Sequence, residues 1–76
     1  MEILQRPEWQ QRLVAEAHDL KDKIVKLTAY TKTDAFRGLR SIEQSMLLIQ
    51  LSNMTPYLQI LEQRIAYYDS RATEAK

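Results

Sequence analysis

The run LLIQLSNMTPYLQILEQRIAYY, residues 47–68, decides the fold. Leu47, Leu51, Met54, Leu58, Leu61, Ile65 and Tyr68 recur at alternating steps of four and three. That is a heptad seam, and it predicts one long helix over residues 41–69. A second set, Met46, Ile49, Asn53, Ile60 and Tyr67 with Pro56 between them, lies away from the seam. A helix apolar on two sides must be covered on two sides. Pro56 removes one backbone hydrogen bond and crowds the turn before it, at a cost of ~3 kcal/mol. The seam keeps its register through Pro56, so the expectation is a kink near Leu51–Pro56 and not a break. Beyond Tyr68 the polar tail DSRATEAK is expected to fray over residues 70–76.

The first cover lies upstream. Trp9, Leu13, Ala17, Leu20, Ile24 and Leu27 follow helical steps, and Val14 widens their stripe. Pro7 suits a first helical position, where its missing N–H costs nothing. A helix over 7–30 follows. The connector is TKTDAFRGLR, residues 31–40. Thr31 and Thr33 can cap, and Thr31 with Asp34 makes a weak capping box. A single turn around Asp34–Arg37 is expected, closed by Gly38 in the left-handed conformation. Ser41 with Gln44 makes a better box and opens the second helix. The fold class is therefore all-α: one domain over residues 1–76, an antiparallel two-helix hairpin.

The second cover has to come from another chain. A chain of 76 residues is marginal as a monomer. Disulfides, metals and self-association are the usual staples. There is no cysteine, and His18 is the only histidine. Self-association remains, as a homodimer or a homotetramer built into a helical bundle.

Composition narrows the function. No apolar run approaches the ~20 residues needed to span a bilayer. The start MEILQRPEWQ lacks the regions of a signal peptide, so a cytosolic, membrane-free protein is expected. Residues 21–40 hold six cations against two carboxylates, a local +4, which leaves −3 on the rest of a chain of net charge +1. One reading is two solvated faces; the other is a cationic end suited to a small anion. Bulk nucleic acid calls for a larger excess. No nucleophile–base pair and no glycine-rich phosphate loop is present, so an enzyme is not expected. Glu16, Asp19, Glu43 and Glu62 lack the Glu-x-x-His of di-metal bundles, and no cofactor is implied. His18 reads as solvated, Met46 and Met54 as core or interface filler, and Trp9 as packing at the end of the hairpin. Lys23 borders the seam on the first helix; Gln50, Tyr57 and Arg64 border it on the second. Antiparallel pairing brings Arg64 toward Arg12 and Glu16, where an Arg64–Glu16 surface pair is expected.

Phe36-x-x-Leu39, the string EQSMLLIQ and the Met-x-x-Tyr-Leu-x-Ile-Leu-x-x-Arg-Ile run from Met54 to Ile65 resemble small phage-encoded helical-hairpin proteins of the crAssphage-related group. The spacing of Arg12, Glu16, Leu20, Lys23 and Leu27 is similar too, so the likeness covers residues 9–68. Pro56 departs from that pattern of an uninterrupted helix. The resemblance extends to tetrameric anti-CBASS sponges included in that group, which hold cyclic dinucleotide defence signals without cleaving them. The resemblance thus implies an immune-evasion protein of the infected host cytosol. Its ligand is expected in a cleft between chains. Lys23, Lys26, Arg37 and Arg40 would meet the phosphates. Tyr30, Phe36 and Tyr57 would stack on the bases. For Phe36 the competing reading is a plug at the end of the core. Two other functions stay open: an inhibitor that covers a host defence enzyme by protein contact, and a structural bundle or assembly protein.

Overall fold

The computed structural model describes residues 6–74, with side chains to residue 71. It is all-helical: α1 is Glu8–Tyr30, α2 is Asp34–Arg37 and α3 is Ser41–Glu74. Contacts fix how the long helices lie. Arg6 binds Asp69 through two parallel bonds of 2.9 and 3.0 Å. Trp9 meets Tyr68 edge-on at 4.7 Å between ring centroids. Leu13 and Ala17 pack on Leu61, and Glu16 accepts a hydrogen bond from the Tyr57 hydroxyl. Partners on α3 move back as residues on α1 move forward, so the two helices run antiparallel.

The core is small. Leu13, Ala17 and Leu61 form it, with Leu20, Leu58, Ile65 and Tyr68 packed around them. Leu61 is fully buried. All four α3 residues belong to the heptad seam, so the periodicity read from the sequence selects the face that meets α1. The other stripe of α3 is exposed: Met46, Ile49, Asn53, Ile60 and Tyr67 face outward. The molecule is a single layer of helices, 55 × 19 × 16 Å.

The helix ends depart from the sequence reading in detail. Pro7 caps α1 from outside, at the position before its first residue, since its extended backbone (φ −55°, ψ 155°) is not helical. Thr33, not Thr31, caps α2: its hydroxyl accepts from the Phe36 N–H at 3.2 Å. Thr31 instead turns back and donates to the Thr28 carbonyl at 2.6 Å. Gly38 is right-handed (φ −79°, ψ −9°), and no residue among those described has positive φ. The single turn of α2 closes with a Gly38 N–H bond to the Asp34 carbonyl at 2.9 Å, which requires no left-handed residue. At the start of α3 the reciprocal cap comes from Glu43, which accepts from the Arg40 N–H at 3.1 Å. Gln44 points back across the connector and donates to the carbonyls of Leu39 and Arg37 at 2.9 and 3.2 Å.

Helix α3 passes Pro56 without a break. In the turns before it, Ser52 and Asn53 both donate to the Ile49 carbonyl and Thr55 donates to the Leu51 carbonyl. The expected fraying after residue 69 does not begin there, because the helix continues to Glu74. Two contacts hold that extension: the Arg6–Asp69 fork, and Arg71, which lies over the Tyr67 ring at 5.7 Å and donates to its hydroxyl. Residues 75–76 lie outside the described residues.

Candidate functional site

Helical spacing places Arg12, Glu16, Asp19 and Lys23 on one side of α1 at steps of four, three and four. Opposite them, Tyr57 leaves the flank of the α3 seam. Together with Ala15 and Leu20 these residues line an open groove of about 490 Å³. Its floor is apolar where Leu20 enters the core, and its walls carry two cations, two carboxylates and one phenol.

Tyr57 spans the groove. Its hydroxyl donates to the Glu16 carboxylate, and its ring is 45% exposed, which leaves a face free for a ligand. The hydrogen bond to Glu16 pushes the Tyr57 pKa up. Burial and the negative charge of Glu16 push the same way, and Arg64 pulls it back. Glu16 therefore pairs with Tyr57; the Arg64–Glu16 ion pair expected from the sequence is not formed. Tyr57 reaches across the seam first, since antiparallel packing sets Glu16 beside it. Arg12 is loosely held by Glu8 at 3.5 Å, with both side chains exposed. Lys23 and Asp19 have no ion-pair partner among the described residues.

The residues anticipated from the sequence separate into two places. Lys23 and Tyr57 belong to the groove. Lys26 lies one turn further along α1 and pairs with Asp22 at 3.0 Å. Tyr30, Phe36, Arg37 and Arg40 gather at the connector tip. Phe36 is buried and meets Tyr30 edge-on at 5.9 Å, so within one chain its ring plugs the end of the core instead of offering a stacking face. Arg37 is bound to Asp34 and to the Lys32 carbonyl. Arg40 is exposed, and its backbone N–H is the part that is engaged. Arg12, Glu16 and Asp19 were not among the anticipated site residues. Their shared helical face with Lys23 was the available signal.

Among the described residues no group of three His, Cys, Asp or Glu is placed to hold a metal ion. No helix among them is long and apolar enough to cross a membrane. No curated protein and no solved structure matches the chain. A family model described as Sequestin matches residues 7–67, which takes in both walls of the groove, the connector and most of α3. On that match the chain belongs to the Sequestin family, a name that denotes sequestration and so the binding of a molecule rather than its conversion.

Proposed function

We propose that this chain binds and sequesters a small nucleotide signal, in its sharpest form a cyclic dinucleotide, and does so without cleaving it. The observation that carries the reading is the groove of a Sequestin family member, with a Lys23 that has no ion-pair partner among the described residues, a loosely held Arg12 and a half-exposed Tyr57 ring on adjoining walls. Phosphate needs the cations, in charge-assisted contacts that are about twice as strong as neutral ones. A base needs a flat partner, and stacking on an aromatic ring contributes ~1–3 kcal/mol. Glu16 and Asp19 offer acceptors for the N–H edge of a base. The biological setting is evasion of nucleotide-signalled host defence by a phage protein in the host cytosol. A homodimer or homotetramer is the binding species, because one face of α3 needs a cover. Lys26, one turn beyond Lys23, and the exposed Arg40 at the connector add positive charge on that side of the groove.

Native mass spectrometry with a panel of cyclic nucleotides tests both halves. The expected result is an oligomer that gains the mass of one nucleotide class and releases it intact on denaturation. Release of a hydrolysed product contradicts sequestration. If no nucleotide adds mass, the second reading takes over: contact inhibition of a host defence enzyme, for which the exposed Ile42, Met46, Ile49 and Ile60 are the supporting observation.

A further inference from the structure

Four charged side chains follow one another along the α1 wall of the groove, in the order Arg12, Glu16, Asp19 and Lys23. From the helical rise the two cations stand at the ends, ~16 Å apart, and the two carboxylates lie between them, ~4.5 Å apart. The wall therefore sums to zero charge. A groove for phosphate alone gains nothing from central carboxylates, since each repels the anion that the cations attract. No group of three His, Cys, Asp or Glu among the described residues is placed to hold a metal ion, so the pair is not a metal site. What an ionised carboxylate can take is N–H donors, because it has acceptors only.

The two carboxylates are not equivalent. Glu16 accepts from the Tyr57 hydroxyl and so holds the phenol across the groove. Asp19 is exposed and has neither a side-chain hydrogen bond nor an ion pair among the described residues. The step from Glu16 to Asp19 is ~4.5 Å along the helix. Stacked rings have centroids ~4.5–7 Å apart. A base laid on the free Tyr57 face, on the side of Lys23, is thus level with Asp19 as the phenol is level with Glu16. Lys23 stands ~6 Å further on and is left for the phosphate.

We propose that Asp19 reads the base and selects guanine, with Glu16 as a positioning residue that holds the Tyr57 ring for stacking; this rests on the nucleotide reading above. The pairing edge of guanine carries two donors side by side, N1–H and the exocyclic N2 amino group. They match the two oxygens of one carboxylate, as the two N–H groups of an arginine fork do. Adenine offers an amino group beside a bare ring nitrogen, and cytosine does the same. Each sets a lone pair against a carboxylate oxygen, which is a repulsive element and not only a missing bond. Uracil and thymine offer one N–H between two carbonyls. The groove is therefore built for a guanine nucleotide, with cations for its phosphate and a carboxylate for its base.

Cyclic di-GMP and cyclic di-AMP are titrated by calorimetry into the parent chain, Asp19→Asn and Tyr57→Phe. The parent should bind cyclic di-GMP at least about tenfold more tightly, the scale of one bidentate base contact. Asp19→Asn puts a donor beside an acceptor, the amide pattern that pairs with adenine. It should lose about tenfold for cyclic di-GMP and gain for cyclic di-AMP, so that the preference disappears or reverses. Circular dichroism should show the parent fold, since Asp19 has no side-chain partner to lose. Tyr57→Phe keeps the ring and drops the bond to Glu16. It should weaken both probes by a similar factor and keep their ratio, as a positioning role requires. A parent that binds both probes equally, or prefers cyclic di-AMP, overturns guanine selection and leaves nucleotide sequestration standing. A parental ratio retained in Asp19→Asn overturns Asp19 as the reader. A parent that binds neither probe overturns guanine selection, and one that binds no cyclic nucleotide of the wider panel overturns the nucleotide reading itself.

Discussion

The connector tip and the groove contain the same kinds of side chain but differ in whether those groups are already used. At the tip, Phe36 is buried against Tyr30, Arg37 is tied to Asp34 and the Lys32 carbonyl, and Thr33 caps the turn. In the groove, Lys23 has no ion-pair partner among the described residues, and Tyr57, bonded through its hydroxyl to Glu16, stays 45% exposed. A cation or a ring is available to a ligand only when the fold leaves it unsatisfied. The tip spends its groups on closing the fold, whereas the groove, where we propose binding, keeps its own available.

Stability should show the largest contrast. Phe36→Ala removes a buried ring and is expected to cost ~3–5 kcal/mol, measured by urea denaturation followed by circular dichroism. Tyr57→Ala removes an exposed ring and should cost far less. If the two variants lose stability equally, the division between a structural tip and a binding groove is wrong.

Ligand binding should show the reverse. Tyr57→Ala and Lys23→Ala are each expected to weaken nucleotide binding by at least about tenfold, ~1.4 kcal/mol. Arg37→Ala should change affinity little, because its guanidinium is already engaged, and Arg40→Ala should fall between. Calorimetry on the four variants checks the order. A large loss confined to Arg37→Ala and Arg40→Ala moves the site to the tip.

Tyr57 can be followed by pH. Its folded pKa is raised above the ordinary value of about 10, first by the hydrogen bond to Glu16. The neutral phenol is therefore favoured in the folded state. Its stabilising contribution is complete below the unfolded pKa and is lost as pH rises through the higher folded value. Alkaline titration of phenolate absorbance, with Tyr57→Phe as the subtraction, should show one late-ionising tyrosine among the four. Glu16→Gln should bring it back toward the ordinary value. No late phase in the parent chain means that the Glu16–Tyr57 contact does not form in solution.

The heptad from Leu47 to Tyr68 and the stripe from Leu13 to Leu27 were legible because burial of a helix face leaves a period in the residue types. The exposed face of α3 was legible for the same reason. The groove was only half legible. Lys23 and Tyr57 could be placed at the seam flanks, but the pairing of Glu16 with Tyr57 depends on the offset between antiparallel helices, which neither periodicity contains. At the tip, composition favoured a binding site. The local hydrogen bonds that occupy Arg37 and Thr33, and the burial of Phe36, depend on three-dimensional closure. The helix caps misled for a related reason: Thr31, Thr33, Glu43 and Gln44 are all competent, and one residue of shift decides which are used.

The smallest effect expected is at Gly38. The sequence reading assigns it a left-handed backbone, where a side chain would be strained. In the structure its backbone is right-handed, and a Cβ would meet the carbonyl oxygens of Ala35 and Asp34 at 3.6 Å, an ordinary contact. Alanine can adopt that conformation and has fewer unfolded states to lose. Gly38→Ala should therefore stabilise the chain by ~0.4–1 kcal/mol, read as a higher denaturation midpoint with an unchanged slope. Nucleotide affinity should stay at the parent value, since the tip closes the fold and the groove is untouched. A destabilised Gly38→Ala shows that the connector needs a conformation reserved for glycine. A stable Gly38→Ala with lost affinity shows that the tip takes part in binding after all.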